Sequence, residues 1–308
     1  MKRYLAGSGA LLLCQFVGSA QTIEDGIMMG RRLLCAGYMY TNDQWSEYWE
    51  GTLKRTNGNI GTLTTESHQI YGIYGVTNKL NVIAQVPFVQ TGASAGVMAG
   101  QAGWQDATVA AKYKFFDRGF TERGSIRAIA VVQGSWPVSD YTPDLLPFSI
   151  GLASRRIAGR GTLHYRDRTG WFLNGTSAYT WRDGVTLDRP FYYTDGQLVF
   201  SDRVDMPNVA DFSASSGYIK NDLVLSAMYG EQRVLGGGDI RRQDMPFVSN
   251  RMEFGRVGVW AKIPLPKYEV LSIVAGYSRI VWGRNVGQSN TFTVGMMYLV
   301  KFQGSRHQ

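Results

Sequence analysis

The chain has 308 residues, of which 44% are hydrophobic and 18% charged, with 37 glycines, enough apolar material for one large domain or two small ones. Its formal net charge of +8 is scattered along the chain rather than gathered in a patch or tail, which argues against a nucleic-acid partner. A mean hydropathy of −0.17 does not exclude a membrane protein, because strands that alternate lipid-facing and lumen-facing residues average to a soluble-like value.

The first twenty residues read as an export signal. Lys2 and Arg3 form a basic start, Ala10 to Val17 an apolar stretch, and Gly18-Ser19-Ala20 a small-residue cleavage site, so the mature chain would begin at Gln21. The expected organisation is a signal peptide over 1–20 and a single barrel with a short C-terminal tail over 21–308. That apolar stretch is too short to span a bilayer as a helix, and no run of roughly 18 apolar residues occurs elsewhere. Leu11-Leu12-Leu13 precede Cys14 where lipoprotein acylation wants a small residue, and Cys35 is left as the only mature cysteine, without an internal disulfide partner.

From there the chain alternates with a period of two. Strands are expected near 29–40, 62–75, 80–91, 105–116, 125–137, 151–166, 171–182, 212–219, 223–232, 252–263, 268–282 and 291–302. In the fourth, Ala107, Val109, Ala111, Tyr113 and Phe115 make a greasy face opposite Thr108, Lys112 and Lys114. The fifth repeats this with Ile126, Ala128, Ala130 and Val132 opposite Arg127, Gln133 and Ser135. Later, Val257, Val259, Ala261 and Ile263 oppose Arg256 and Lys262.

Short connections at 77–79, 117–124, 167–170, 220–222 and 264–267 alternate with long ones at 41–61, 92–104, 138–150, 183–211, 233–251 and 283–290. A membrane barrel has short periplasmic turns and long outer loops, so the expected fold is all-β: a transmembrane antiparallel up-and-down β-barrel of about twelve strands. Trp136, Trp171, Trp181, Tyr268 and Trp282 fall at strand ends, where aromatic girdles belong. A soluble β-sandwich would need neither strands this long nor so many terminal aromatics.

Strand phase sends Lys112, Lys114, Arg127, Arg160, His164, Arg166, Arg182, Arg256, Lys262, Arg279 and Lys301 into the lumen, against few acids, notably Glu269 and Glu66. An open pore lined this way would favour anions. The alternative is a narrow barrel whose interior is filled by long basic chains paired to acids and backbone carbonyls. The densest aromatic cluster, Trp45, Tyr48 and Trp49, lies in the first long connection. It would stack on a hydrophobic or sugar-like ligand, dock a partner protein, or extend the outer girdle.

No chemical motif points to an enzyme. Gly92-Ala93-Ser94-Ala95-Gly96 matches a nucleophile elbow, but the glycine-rich stretch after it is too short for the helix that motif requires. His68, His164 and His307 lack metal-binding spacing, and His164 reads as an interior polar residue. Asp183, Asp188, Asp195, Asp202, Asp205 and Asp211 make the fourth long loop acidic without EF-hand spacing. Gly236-Gly237-Gly238 lacks the lysine and hydroxyl of a phosphate loop. Neither a metal nor a cofactor is expected.

Val294, Met296, Tyr298, Val300 and Phe302 alternate toward a last aromatic, which resembles the closing-strand signal of outer-membrane barrels, although Gln303 to Gln308 follow it. Gly72 to Leu80 with Val82 to Pro87, and Gly103-Trp104-Gln105-Asp106-Ala107-Thr108 leading into Ala111-Lys112-Tyr113, resemble motifs of the phenol-degradation MetA-pathway family of barrels. That resemblance implies outer-membrane passage of small, including hydrophobic, compounds. The expected function is therefore a channel or transporter in the Gram-negative outer membrane, in contact with its lipid and with a small-molecule solute. The alternative is a non-transporting structural subunit bound to partner membrane proteins.

Overall fold

The computed structural model describes residues 22–120, 124–194, 196–240 and 246–302. The expected signal peptide, His307 and the tail after Phe302 lie outside the described residues, as do Asp195 and the side chain of Glu269.

Twelve long antiparallel strands close on themselves as a barrel. They are β1 (Leu33–Trp45), β2 (Leu63–Gly75), β3 (Leu80–Ala93), β4 (Asp106–Phe120), β5 (Gly124–Pro137) and β6 (Arg156–Asp167). The second half comprises β7 (Trp171–Arg182), β8 (Val209–Lys220), β9 (Leu223–Val234), β10 (Glu253–Leu265), β11 (Tyr268–Arg284) and β12 (Asn290–Lys301). Each strand pairs with its neighbour in sequence, and β1 pairs with β12 from Leu33↔Lys301 to Gln44↔Asn290, so no edge is left open. An even strand number puts the start of β1 and the end of β12 at the same, short-turn end of the barrel.

The twofold alternation has a direct structural outcome. Val109, Tyr113 and Phe115 stand exposed on the outer wall, while Thr108, Ala110 and Lys112 between them are buried inside. On β12, Val294, Met296 and Tyr298 point out and Met297 points in. Trp136, Trp171, Trp181 and Tyr268 are exposed at strand ends, bounding a band of outward aliphatic side chains.

The largest departure in strand limits is the first. The expected 29–40 becomes Leu33–Trp45, because residues 22–32 do not join the wall but turn into the lumen. Residues 151–155, expected in the sixth strand, instead belong to the loop before it. At the long-loop end, short hairpins pair Glu47–Glu50 with Leu53–Thr56 and Tyr192–Thr194 with Gln197–Val199. Val185, Leu187, Tyr192, Met206, Phe247 and Val248, with Leu146 and Leu152 packed against them, gather three of the long loops into one apolar cluster, with a stacked Tyr192–Phe247 ring pair 5.2 Å apart. Ser154 Oγ donates to the Asp183 carbonyl at 2.6 Å, and Thr91 Oγ1 donates to the Phe148 carbonyl at 2.5 Å, tying those loops to each other and to the wall.

Candidate functional site: the barrel lumen

The lumen is built around residues 22–32. Thr22 Oγ1 accepts hydrogen bonds from the Glu24 and Asp25 amides at 3.2 Å each, and Asp25 Oδ1 accepts one from Ile27 N at 2.9 Å. Side-chain oxygens bonded to amides two or three residues away suit a compact turn rather than a strand. The segment is then fixed to the wall. Asn81 grips it from both sides, accepting from Met29 N and donating to Met29 O, both at 2.9 Å. Fully buried Lys112 donates to the Thr22 carbonyl and to Asp25 Oδ1, each at 2.8 Å. Arg160 pairs with Glu24 at 3.3 Å, and Thr176 Oγ1 donates to the Glu24 carbonyl at 3.2 Å.

Apolar packing does the rest. Met29 joins Leu33, Cys35, Ile73, Ile129, Val131 and Val274 in a cluster inside the barrel, and Ile27 joins Phe172, Ile219 and Val224. Burying such a side chain contributes roughly 1.5–3 kcal/mol. Gly26 lies so close to His164 that a Cβ there would overlap the imidazole ring, which explains a glycine at this point. His164 is buried, its Nδ1 bonded to Asn174 Oδ1 at 2.6 Å, a packed interior position.

The basic residues assigned inward by strand phase occupy three levels. Toward the short-turn end, Asp117 holds Lys114 at 2.5 Å and Arg127 at 3.3 Å, while Arg166 donates to the Ile219 carbonyl at 2.9 Å. Buried Lys262 sits in the same half, and Lys301 stands exposed at the rim. At mid-height are Lys112, His164 and Arg160, all engaged with the segment or its neighbours. Nearer the long-loop end, Arg182 and Arg256 line open space.

Two expectations about the wall need correction. Arg279 is exposed on the outer surface, opposite Val257, because buried Ser272 and Val274 set even-numbered residues of β11 inward after the register shift at Pro264/Leu265. Glu66 also faces outward, where it accepts a 2.5 Å hydrogen bond from Tyr40; the neighbouring pair Tyr38 and His68 meets at 2.7 Å. The inward acids are others. Asp25 and Glu24 come from the N-terminal segment, Asp106 pairs with Arg156 at 2.6 Å, and Asp43 accepts from Ser289 and Thr291. The interior is therefore not the nearly acid-free basic surface expected from phase, since local carboxylates face much of its positive charge.

The aromatic cluster is packed, not presented. Trp49 is buried beneath Gly283, where a Cβ would overlap its indole, and its amide donates to the Val286 carbonyl at 2.9 Å. Trp45 and Tyr48 are half-buried with ring centroids 6.2 Å apart, bracing the first outer hairpin against the last loop. Asp183 approaches Arg203, and among the described residues no group of three possible metal ligands forms.

Among the described residues, two cavities lie inside the barrel. One of about 420 Å³ is lined by the segment and by the wall from β6 round to β1, including Ile27, Phe172, Ile219, Val224, Met228 and Trp260. The other, about 250 Å³, lies toward the long-loop end and is polar, with Gln85, Gln133, Arg156, Arg160, Arg182 and Asp211 among its walls. The inward apolar residues were the part that strand phase alone did not pick out. Their signal is present in Ala128-Ile129-Ala130-Val131-Val132, where both parities are apolar.

Comparison of the sequence with protein-family profiles and with curated sequences finds no match, so the MetA-pathway resemblance rests on the motifs quoted above. Among solved structures the chain is similar to an outer membrane channel from Pseudomonas putida F1, with a TM-score of 0.71, 13% identity, and coverage of 91% of this chain and 100% of that one. Weaker similarities are to the translocator domain of the autotransporter NalP from Neisseria meningitidis (TM-score 0.45, 10% identity, 89% and 90% covered) and to the NanC porin (TM-score 0.45, 10% identity, 84% and 98% covered). At these identities the likeness is one of fold, and the chain has the fold of an outer-membrane β-barrel.

Proposed function

We propose that this chain is an outer-membrane channel or transporter for small solutes with a substantial apolar portion, and that residues 22–32 form the obstruction such a solute must pass. The observation that carries this reading is the 420 Å³ cavity between that segment and the wall, bounded by Ile27, Phe172, Val224, Met228 and Trp260. Ligand sites of this kind combine an apolar lining with a few placed polar groups, here Asn174, Ser226 and Arg256. The outward aliphatic band between terminal aromatics suits a bilayer, with the short turns periplasmic and the long loops outside. On this reading the basic interior serves mainly as packing, the protein is not an enzyme, and the resemblance to the MetA-pathway family points the same way.

The test is uptake of a neutral apolar solute by Gram-negative cells that do or do not display the folded chain. Faster uptake with the wild type, and faster still after deletion of 22–30, is the expected result. A folded, surface-displayed barrel that changes uptake in neither form refutes the proposal. Recovery of a stoichiometric partner in a native pull-down, alongside that failure, would favour the structural-subunit alternative.

A further inference from the structure

Above the N-terminal segment, Arg160 on β6 and Arg182 on the adjacent β7 line the same polar 250 Å³ cavity. The Arg160 side chain is only 9% exposed. Nevertheless its Nε and that of Arg182 are buried and find no hydrogen-bond partner among the described residues. Two unmet guanidinium donors beside empty space are costly in a wall that satisfies most of its polar groups, and they are the groups an oxyanion bonds best. Arg156, the third arginine of the cavity, is already held by Asp106 at 2.6 Å. Among the described residues Arg160 forms its ion pair with Glu24, at 3.3 Å with a side chain 43% exposed, an exchangeable partner rather than a locked one. Glu24 also lines the apolar cavity below, so the two spaces meet at this residue.

We propose that Arg160 and Arg182 form a head-group site for an amphipathic carboxylate. Its oxyanion takes the open guanidinium donors in place of Glu24, while its apolar body lies in the 420 Å³ cavity beside Ile27 and Phe172. This deepens the proposed function and rests on it: it names the class of solute and gives the segment a reason to let go, because the incoming anion removes one of its ties to the wall.

The experiment is calorimetric titration of the full chain in lipid nanodiscs, corrected with empty nanodiscs, using octanoate, n-octanol and acetate as probes. Octanoate is expected to bind about tenfold more tightly than octanol, the scale of one charge-assisted bond. Acetate should bind more weakly than either. Arg182→Gln should erase the gap between octanoate and octanol and leave octanol unchanged. Asp211→Asn provides the opposite sign: Asp211 lines the same cavity and its charge faces Arg160 and Arg182, so its removal should tighten octanoate, a gain that misfolding does not produce. Equal affinity for octanoate and octanol overturns the head-group site while leaving the proposed function standing. Acetate binding as tightly as octanoate overturns the amphipathic assignment. Octanol failing to bind at all overturns the proposed function itself.

Discussion

The two halves of the lumen share a wall and differ in everything else. Toward the short turns the inner face carries Cys35, Ile73, Ile129, Val131 and Val274, and the N-terminal segment fills it with Met29. Toward the long loops the wall presents Gln85, Thr108, Gln133 and Arg182 to an open polar space. The outer faces repeat one band of aliphatic side chains between terminal aromatics on strand after strand, because one apolar solvent covers that band. The inner face is thus free to be a core at one level and a chamber at another, and the identity of alternate residues along each strand decides which.

The strongest way to break this contrast is through Lys112. Asp25→Ala leaves a fully buried ammonium without its carboxylate and should weaken docking of the segment by about 3–5 kcal/mol, read as faster hydrogen exchange at Ile27 and Met29. The double variant Asp25→Leu/Lys112→Met should recover most of that loss, since a well-packed apolar pair replaces a buried ion pair at little cost. Next, Ile129→Ala in the filled half should destabilise the barrel by about 2–4 kcal/mol, whereas Gln133→Ala, on the same inner face of the same strand nearer the long loops, should stay within about 0.5 kcal/mol; urea unfolding in detergent compares them. Equal effects would dissolve the distinction between core and chamber. Asn81→Ala removes two hydrogen bonds to Met29 and should cost about 1–3 kcal/mol, visible in exchange at Met29 but not at Ile27.

The smallest effect lies in the outer loops. Two hydrogen bonds from Arg284, at 2.7 and 2.6 Å, hold the Asp239 carboxyl below the usual carboxylate range, with help from Asn285 and against some burial. A depressed carboxylate contributes stability above its unfolded pKa and loses it as pH falls through the folded one. The tie is therefore complete at neutral pH and released only in strong acid. With the side chain 39% exposed, it is expected to be worth under about 1 kcal/mol. Limited proteolysis of loop 235–252 should accelerate only as pH falls below about 4, the ordinary carboxylate value, and Asp239→Asn should show the faster rate already at pH 7.

Strands were legible because a barrel wall imposes period two on every segment, and turn chemistry marks where each stops. β7 (Trp171–Arg182) falls at its expected limits for that reason. Position inside the lumen was less legible. Inward apolar residues such as Ile129 look like ordinary strand residues until something apolar is known to face them, and that something is a segment with no periodicity of its own. Its ties reach far along the chain: Asp25 meets Lys112 across 87 residues, and spacing carries no trace of such a pair. Arg279 shows a different obstacle, since a register shift near a turn inverts the phase of the strand stretch that follows it.

The double grip of Asn81 on Met29 has a consequence for how passage would respond to heat. A rigid aperture conducts with the gentle temperature dependence of solvent viscosity. An aperture that opens by releasing both hydrogen bonds at Met29 and the Lys112–Asp25 pair inherits the steep enthalpy of a local unfolding step. The obstruction would then act as a thermally activated valve, whose rate is set by bond rupture and not by bore.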